Sequence, residues 1–404
     1  MKLVYLNNCA TDAHGRPHAF MVQELPWLLK HFDTIEMIGY HGVCTISGET
    51  KPSYPIVRPL GGIIQSILMT PFRKELWQEM RRLYRDKKLT LINALKLIAF
   101  TQRGLKMYLW AEQRLKLGRP STVYSFWLSY DAYAGALIRK RHPRTRFVAR
   151  GHYYDIDLAR NHMNPYLMKE FIGQQADDMY MIGKLPMEWY MSYMRGRVDE
   201  SKVHVLALGS TGEKLDELPV PNRFSQDVLR IVSCSRVAPI KRLDIIIDAL
   251  AQWEGMPVLW MHIGDGSEME KIRAYAEEKL DSKENVIYQL PGSMKPAQIH
   301  ALYEKTPFDV FINTSEGEGV PVSIMEAMRC GIPAIAADVG GTAELVVDGC
   351  GWTFDFDEGA QGVLRCLTEL SKMTLEEAMT MRKNAQDQWE KGFKSSALLE
   401  EMLK

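Results

Sequence analysis

Residues 314–345 read TSEGEGVPVSIMEAMRCGIPAIAADVGGTAEL. A glycine-rich polar loop carries Glu318 and is followed by a proline. An apolar-periodic run over 320–329 predicts a helix that carries Glu326. A short apolar run at 333–336 predicts a buried strand, and Gly340-Gly341 predict a turn. Loop, helix, strand and turn in this order are the rhythm of a parallel sheet covered by helices. The spacing puts Glu318 in the loop and Glu326 two turns into the helix. Two carboxylates so placed can hold two different hydroxylated parts of one ligand. The N–H groups of residues 319–322 lie between them, at a helix start where an anion can dock. Glutamates at helical spacing are common on solvated faces. Glycine, proline and apolar small residues surround this pair, which argues against a merely solvated face.

The same alternation extends in both directions. Strands are expected at 2–6, 123–126, 146–149, 179–182 and 203–206, with helices at 19–31, 130–141 and from Pro186, where proline suits a first turn. Residues 209–227, rich in Gly, Pro, Ser and charge without a period, read as a linker. A second alternating run follows, with strands at 229–234, 257–263, 285–288, 308–312 and 333–336. Its helices are expected over 241–253, to 280 after Gly264-Asp265-Gly266, over 296–304 and 320–329. The tail from Thr374 is helical and amphipathic. The pattern is α/β, two doubly wound domains with a ligand at the carboxyl ends of their strands.

The 404 residues allow two or three domains. Apolar and charged fractions of 46% and 25% are those of a globular protein. The formal net charge is zero, yet residues 1–207 carry 30 Lys+Arg against 18 Asp+Glu and residues 208–404 carry 20 against 32. A basic half and an acidic half suggest an anionic partner for the first half. The six cysteines form no C-x-x-C pair, which argues against a zinc site or a disulfide framework and for buried thiols in a reducing cytosol. The start, MKLVYLNN, is too soon polar for a signal peptide, and no apolar run reaches the ~20 residues of a membrane span.

The phrases EGVPVSIMEAM, CGIPAIA and VGGTAELV resemble glycosyltransferase family 4, the retaining nucleotide-sugar glycosyltransferases, whose signature is Glu-x7-Glu in such a context. The resemblance is densest over 229–355. It implies the GT-B architecture, with two Rossmann-like domains facing across a cleft. It divides the chain into an acceptor-binding domain 1–207, a nucleotide-sugar-binding domain 208–384 and a terminal helix 385–404 crossing back to the first domain. It also implies roles. Glu326 bonds the ribose hydroxyls, Glu318 lies nearer the transferred sugar, and Ser235-Arg236-x4-Lys241 grips the diphosphate. This last segment carries Arg242 where the family has glycine. Chemistry agrees, because charge grows on the leaving phosphate as the glycosidic bond breaks, and fixed cations there stabilise it. Arg offers a fork of donors and Lys a point charge.

Further residues follow from the same resemblance. His152, in the phrase RGHYYD, approaches the donor sugar from the first domain, with Arg150 and Asp155 as weaker candidates, either for acceptor binding or for local salt bridging. Gly15, in the loop 12–18, stands where the family lets a phosphate or acceptor approach the backbone; Gly61-Gly62 is the runner-up for that role, although the pair reads first as a plain turn. Gly264 and Gly266 shape the nucleotide pocket, residues 291–294 including Gly292 line the base, and Gly319, Val320 and Pro321 contribute at the helix start. Asp155-Ile156-Asp157 looks like the metal motif of the other glycosyltransferase fold, but Arg236 and Lys241 already supply the charge a metal would. No metal and no cofactor are therefore expected.

Residues 71–119 hold 13 Lys+Arg against four Asp+Glu, interleaved with aromatic and aliphatic residues. This is the pattern of a basic amphipathic membrane-surface element, and no nucleic-acid motif accompanies it. The expectation is a cytoplasmic retaining hexosyltransferase, peripheral on the inner face of the plasma membrane. It would use a UDP-sugar, or alternatively a GDP-sugar, and a lipid-linked saccharide acceptor in bacterial surface polysaccharide or lipopolysaccharide synthesis. The alternatives are a GT-B enzyme with a soluble small-molecule or protein acceptor, or a catalytically silent sugar-nucleotide-binding partner.

Overall fold

A computed structural model of the chain describes residues 1–12, 14–17, 19–115, 122–157 and 167–403. The chain divides into two compact units. The first comprises Met1–Leu206 together with the chain end from Leu399, and the second comprises Ala207–Leu398.

The first unit is built on seven strands: β1 (Lys2–Leu6), β2 (Thr34–Gly39), β3 (Gly42–Ile46), β4 (Thr122–Ser125), β5 (Arg146–Gly151), β6 (Asp178–Met181) and β7 (Val203–Val205). Their order is β3-β2-β1-β4-β5-β6-β7. All pairings are parallel except that of β3, which returns antiparallel on β2. This edge hairpin was not expected from the sequence, because it interrupts the strand–helix alternation. The central strands are buried on both faces, as parallel strands between helices are.

The second unit has six parallel strands: β8 (Leu229–Cys234), β9 (Val258–Ile263), β10 (Val286–Gly292), β11 (Val310–Asn313), β12 (Ala334–Ala337) and β13 (Gly351–Phe354). Their order is β10-β9-β8-β11-β12-β13. Counted within the unit this is 3-2-1-4-5-6, the doubly wound order that reverses between its first and fourth strands. Ligands dock at the carboxyl ends of the strands at such a reversal, here between β8 and β11.

Several boundaries differ from the sequence reading. The stretch 209–227 is not a free linker. Ser210 and Asn222 are fully buried, and Arg223 forms a buried ion pair with Asp309 at 3.2 Å. The terminal piece 385–404 is divided between the units. The helix Leu375–Gly392, started by a capping box of Thr374 and Glu377, stays in the second unit, where buried Trp389 donates to Ser210 Oγ at 2.8 Å. The glycines Gly61 and Gly62 lie in the helix Leu60–Met69, not in a turn. A Cβ on Gly62 would stand 2.6 Å from Trp110 Cδ1, so this glycine lets two helices approach.

Candidate active site

The carboxyl ends of β8, β9 and β11 open onto a cavity of about 410 Å³. Arg236, Lys241, Gly264, Glu318 and Pro321 line it, joined by Ser293 and Met294 beyond β10. A larger cavity of about 530 Å³ lies between the helices Leu243–Ala251 and Met269–Leu280. Its lining carries Arg242 and Lys271 against Asp244, Glu268 and Glu278, an excess of negative charge that disfavours an anion. The smaller cavity is the candidate site because it sits at the sheet's reversal and gathers cations with carboxylates.

Its loops are zipped together by backbone contacts. After β8 the chain makes a 3-10 turn, Pro239–Lys241, and not the expected continuous helix. Arg242 then adopts a left-handed conformation, φ 48°, before the helix Leu243–Ala251 begins. Glycine fits such a backbone without strain, which gives the family's glycine at this position a physical reason. Here the arginine is held by Asp244 at 2.8 Å and lies over the Phe356 ring at 5.5 Å. Thr314 Oγ1 donates to the Arg242 carbonyl at 2.8 Å, and Glu316 N donates to the Ile240 carbonyl at 2.9 Å. The loop after β11 is thereby tied to the Lys241 turn.

That tie brings Lys241 Nζ to 2.6 Å from Glu318 Oε1. Asn313 Nδ2 donates to the same oxygen at 3.2 Å, while its Oδ1 accepts from Ser315 N. From behind, Gly341 N donates to the Gly319 carbonyl, and a Cβ on Gly340 would lie 1.8 Å from Glu318 O. The Gly-Gly turn thus sets the height of the Glu318 loop. A Cβ on Gly264 would lie 1.8 Å from Ser235 O, and one on Gly266 would lie 2.2 Å from Val237 O. These glycines let the β8 and β9 loops touch. Gly292, at the end of β10, has φ 81° and accepts from Gly264 N.

The helix of the opening stretch begins at Val322, two residues later than expected, with Pro321 as its N-cap. Glu326 is therefore its fifth residue, little more than one turn in. Pro321 has no N–H, so the donors at this helix start come from residues on either side of it and not from 319–322 as a continuous row. Val320 is buried in the core beneath. Glu326 Oε1 lies 3.3 Å from His300 Nε2 on the helix Pro296–Lys305. Cys234 lines the cavity, but burial pushes its thiol up to about 11, so it stays protonated and is no nucleophile.

The first-unit candidates lie at the strand ends of that unit. His152 follows β5, buried between the Phe126 and Trp127 rings at 4.6 and 4.4 Å. Burial, then the nearby Arg150 charge, drives its pKa well below the ordinary value, so the ring is neutral. Its Nε2 has no hydrogen-bond partner among the described residues. Asp155 is buried and accepts from the backbone of Leu128 and His152, both at 3.0 Å. Arg150 pairs with buried Glu24 at 3.1 Å. Both are thus engaged inside the unit. Gly15 has φ 77°, and a Cβ there would lie 2.0 Å from Tyr54 O. Its close approach is to Tyr54, not to an open loop. Ala13 and His18 of that loop lie outside the described residues. Among the described residues no cluster of three His, Cys, Asp or Glu side chains could hold a metal ion.

Asn313 and His300, which hold the two glutamates, were missed by the sequence reading. Asn313 ends a strand five residues before Glu318 and could have been found from that position. His300 is 26 residues from Glu326, on another helix, and carries no local signal.

Residues 216–388 match the family model described as "Glycosyl transferases group 1". The putative colanic acid biosynthesis glycosyltransferase WcaL of Escherichia coli (strain K12) is 25% identical over 263 residues, 62% of this chain and 62% of the relative. The chain thus spans about three fifths of that relative's length. Among solved structures, the lipopolysaccharide outer core galactosyltransferase WaaB in its apo form aligns with TM-score 0.63 at 18% identity, covering 99% of this chain and 100% of that one. Anabaena Alr3699/HepE in complex with UDP-glucose aligns with TM-score 0.62 at 15% identity, covering 100% and 98%. The fold is that of GT-B glycosyltransferases, two parallel-sheet α/β domains.

Proposed function

We propose that this protein is a retaining glycosyltransferase that moves a hexose from a nucleotide-sugar, a UDP-sugar by preference, to a lipid-linked saccharide in the assembly of a bacterial surface polysaccharide. The observation that carries the reading is the cavity at the β8/β11 reversal, where Arg236 and Lys241 stand beside Glu318. A diphosphate in this cavity meets both cations as the glycosidic bond breaks and charge grows on the leaving oxygen. Glu326, steadied by His300, suits the ribose diol, and Glu318 suits the hydroxyls of the transferred sugar. On this reading Lys241 releases Glu318 in part when the donor enters, so phosphate and sugar are each matched to one member of the ion pair. The leaving phosphate takes the acceptor's proton on the same face of the sugar, which retains its configuration.

The bound UDP-glucose named for one structural neighbour supports the choice of donor. The colanic acid and lipopolysaccharide enzymes support the choice of acceptor class. The test is nucleotide release from UDP-sugars and GDP-sugars, followed by NMR of the product anomer. Release from a UDP-sugar, stimulated by a lipid-linked saccharide and insensitive to EDTA, with an unchanged anomeric configuration, is expected. An inverted product would refute the mechanism. No release from any nucleotide-sugar would leave a silent binding protein.

A further inference from the structure

The first unit exposes an apolar face that its own fold leaves uncovered. On the helix Leu60–Met69, Leu60, Ile64, Ile67 and Leu68 all face solvent. They recur at helical spacing, one stripe down one side. On the helix Leu91–Leu115, Leu91, Ile92, Leu95 and Ile98 do the same, while Leu97 and Phe100 face the core. The two helices are antiparallel neighbours. Trp110 Nε1 donates to the Pro59 carbonyl at 3.0 Å, and Gln102 Nε2 donates to Ser66 Oγ at 2.8 Å. This antiparallel register carries the end of the shorter helix, and the 3-10 turn Thr70–Phe72 that follows it, toward the N-terminal half of the longer helix. Phe72 is 86% exposed and Leu91 77%. Isolated exposed leucines need no explanation, but a continuous face of this kind marks an interaction surface.

Its charge chooses the partner. Residues 58–106 hold 11 Lys+Arg against three Asp+Glu. All three acids are engaged by cations: Glu75 by Arg73 and Lys140, Glu79 by Arg82, and Asp86 by Arg82, Arg85 and Arg197. Lys74, Arg81 and Arg85 face solvent on the adjoining helix Lys74–Arg85. Apolar side chains rimmed by unbalanced positive charge match an anionic lipid surface, with acyl chains beneath and phosphates at the rim. Among the described residues no helix is long and apolar enough to cross a membrane.

We propose that this face, formed by residues 60–72 and 91–98 with cations of 74–85 at its rim, docks shallowly on an anionic bilayer. It differs from the segment 71–119 singled out in the sequence. The apolar half comes largely from 60–72, and residues 116–119 lie outside the described residues. Arg82, buried with Glu79, belongs to the core and not to the rim. The inference rests on the surface of the first unit alone, so its failure would leave the proposed transfer reaction standing.

The experiment is vesicle flotation with phosphatidylcholine alone and with phosphatidylcholine containing phosphatidylglycerol, at low and high salt. Two variants are compared, Ile67→Ser/Leu68→Ser/Phe72→Ser and Lys74→Glu/Arg81→Glu/Arg85→Glu. Nucleotide release measured without vesicles checks that both remain folded. The native chain should float with the anionic vesicles at low salt and be released by high salt. Each variant should lose on the order of 100-fold in vesicle affinity, since each rim cation contributes about a fivefold factor and buried apolar side chains add comparable terms. A native chain that stays in solution with anionic vesicles overturns the proposal. So does flotation undiminished by either variant, or a concentration-dependent dimer that the serine variant dissociates in place of vesicle binding.

Discussion

Lys241→Ala is the most informative perturbation of the candidate site. At an effective dielectric near 20, unit charges about 4 Å apart interact with roughly 4 kcal/mol. A half charge developing on the leaving phosphate then gains about 2 kcal/mol from the ammonium, some 30-fold in rate. A direct hydrogen bond from Nζ raises this toward the 10²–10³ typical of one charge-stabilising donor. Turnover of Lys241→Ala should therefore fall on the order of 10²-fold, read as nucleotide released at saturating donor. The Lys241 and Glu318 side chains are 23% and 12% exposed. Breaking their pair should cost about 1 kcal/mol of stability, a few degrees in melting temperature, so the variant remains folded for assay.

The 2.6 Å contact with Glu318 raises a competing explanation, that Lys241 serves only to hold the glutamate. A double-mutant cycle with Glu318→Gln separates the two. If Lys241 acts on the phosphate, its removal should cost a similar factor in the Glu318→Gln background. If it only positions Glu318, the second change adds nothing. Turnover within threefold of native in folded Lys241→Ala, or a cycle in which all of its effect disappears with Glu318→Gln, would refute the phosphate role.

Two further outcomes are expected. Glu326→Ala should raise the KM for the donor about tenfold or more with little change in kcat, because a ribose contact is the same in ground and transition states, and His300→Ala should do so more weakly; a fall in kcat alone would assign Glu326 to the reacting sugar. Burial holds His262 of the second unit down to about 4, so between its ordinary value near 6.5 and that value the unfolded chain binds the extra proton. The stability it contributes is complete above pH 6.5 and lost toward pH 4, on the order of 3 kcal/mol, and His262→Gln should flatten that acid limb in urea titrations. Asp309, raised by burial, works in the opposite sense in both proteins. An unchanged slope would refute the assignment to His262.

The sequence made the second unit legible because its chemistry is local. Strand, glycine turn and helix follow one another within 20 residues, and Arg236, Lys241, Gly264, Glu318 and Pro321, singled out together from the sequence, line one cavity, whereas Gly266, Gly292, Gly319, Val320 and Glu326 are not part of its lining. The Gly-Gly turn at 340–341 was visible as a turn, but its purpose was not. Only the fold shows that it packs beneath the Glu318 backbone. What stayed hidden was long-range or stereochemical. The His300–Glu326 contact joins two helices, the hairpin of β2 and β3 replaces a helix connection, and the helix Leu60–Met69 lies on Trp110 through Gly62.

Arg242 joins these two kinds of information. In sequence it is a departure from a glycine position, and in structure it holds a left-handed backbone that side chains adopt at a cost of order 1 kcal/mol. That cost is offset by a bidentate grip on Asp244 and stacking on Phe356, contacts that glycine cannot make. Because Thr314 reads the Lys241 and Arg242 carbonyls directly, a relaxed turn would move Lys241 relative to Glu318. The strained arginine and the Lys241–Glu318 ion pair are therefore one mechanical unit. The departure from the family pattern falls on the backbone that aims the cation, while the cation itself keeps its place.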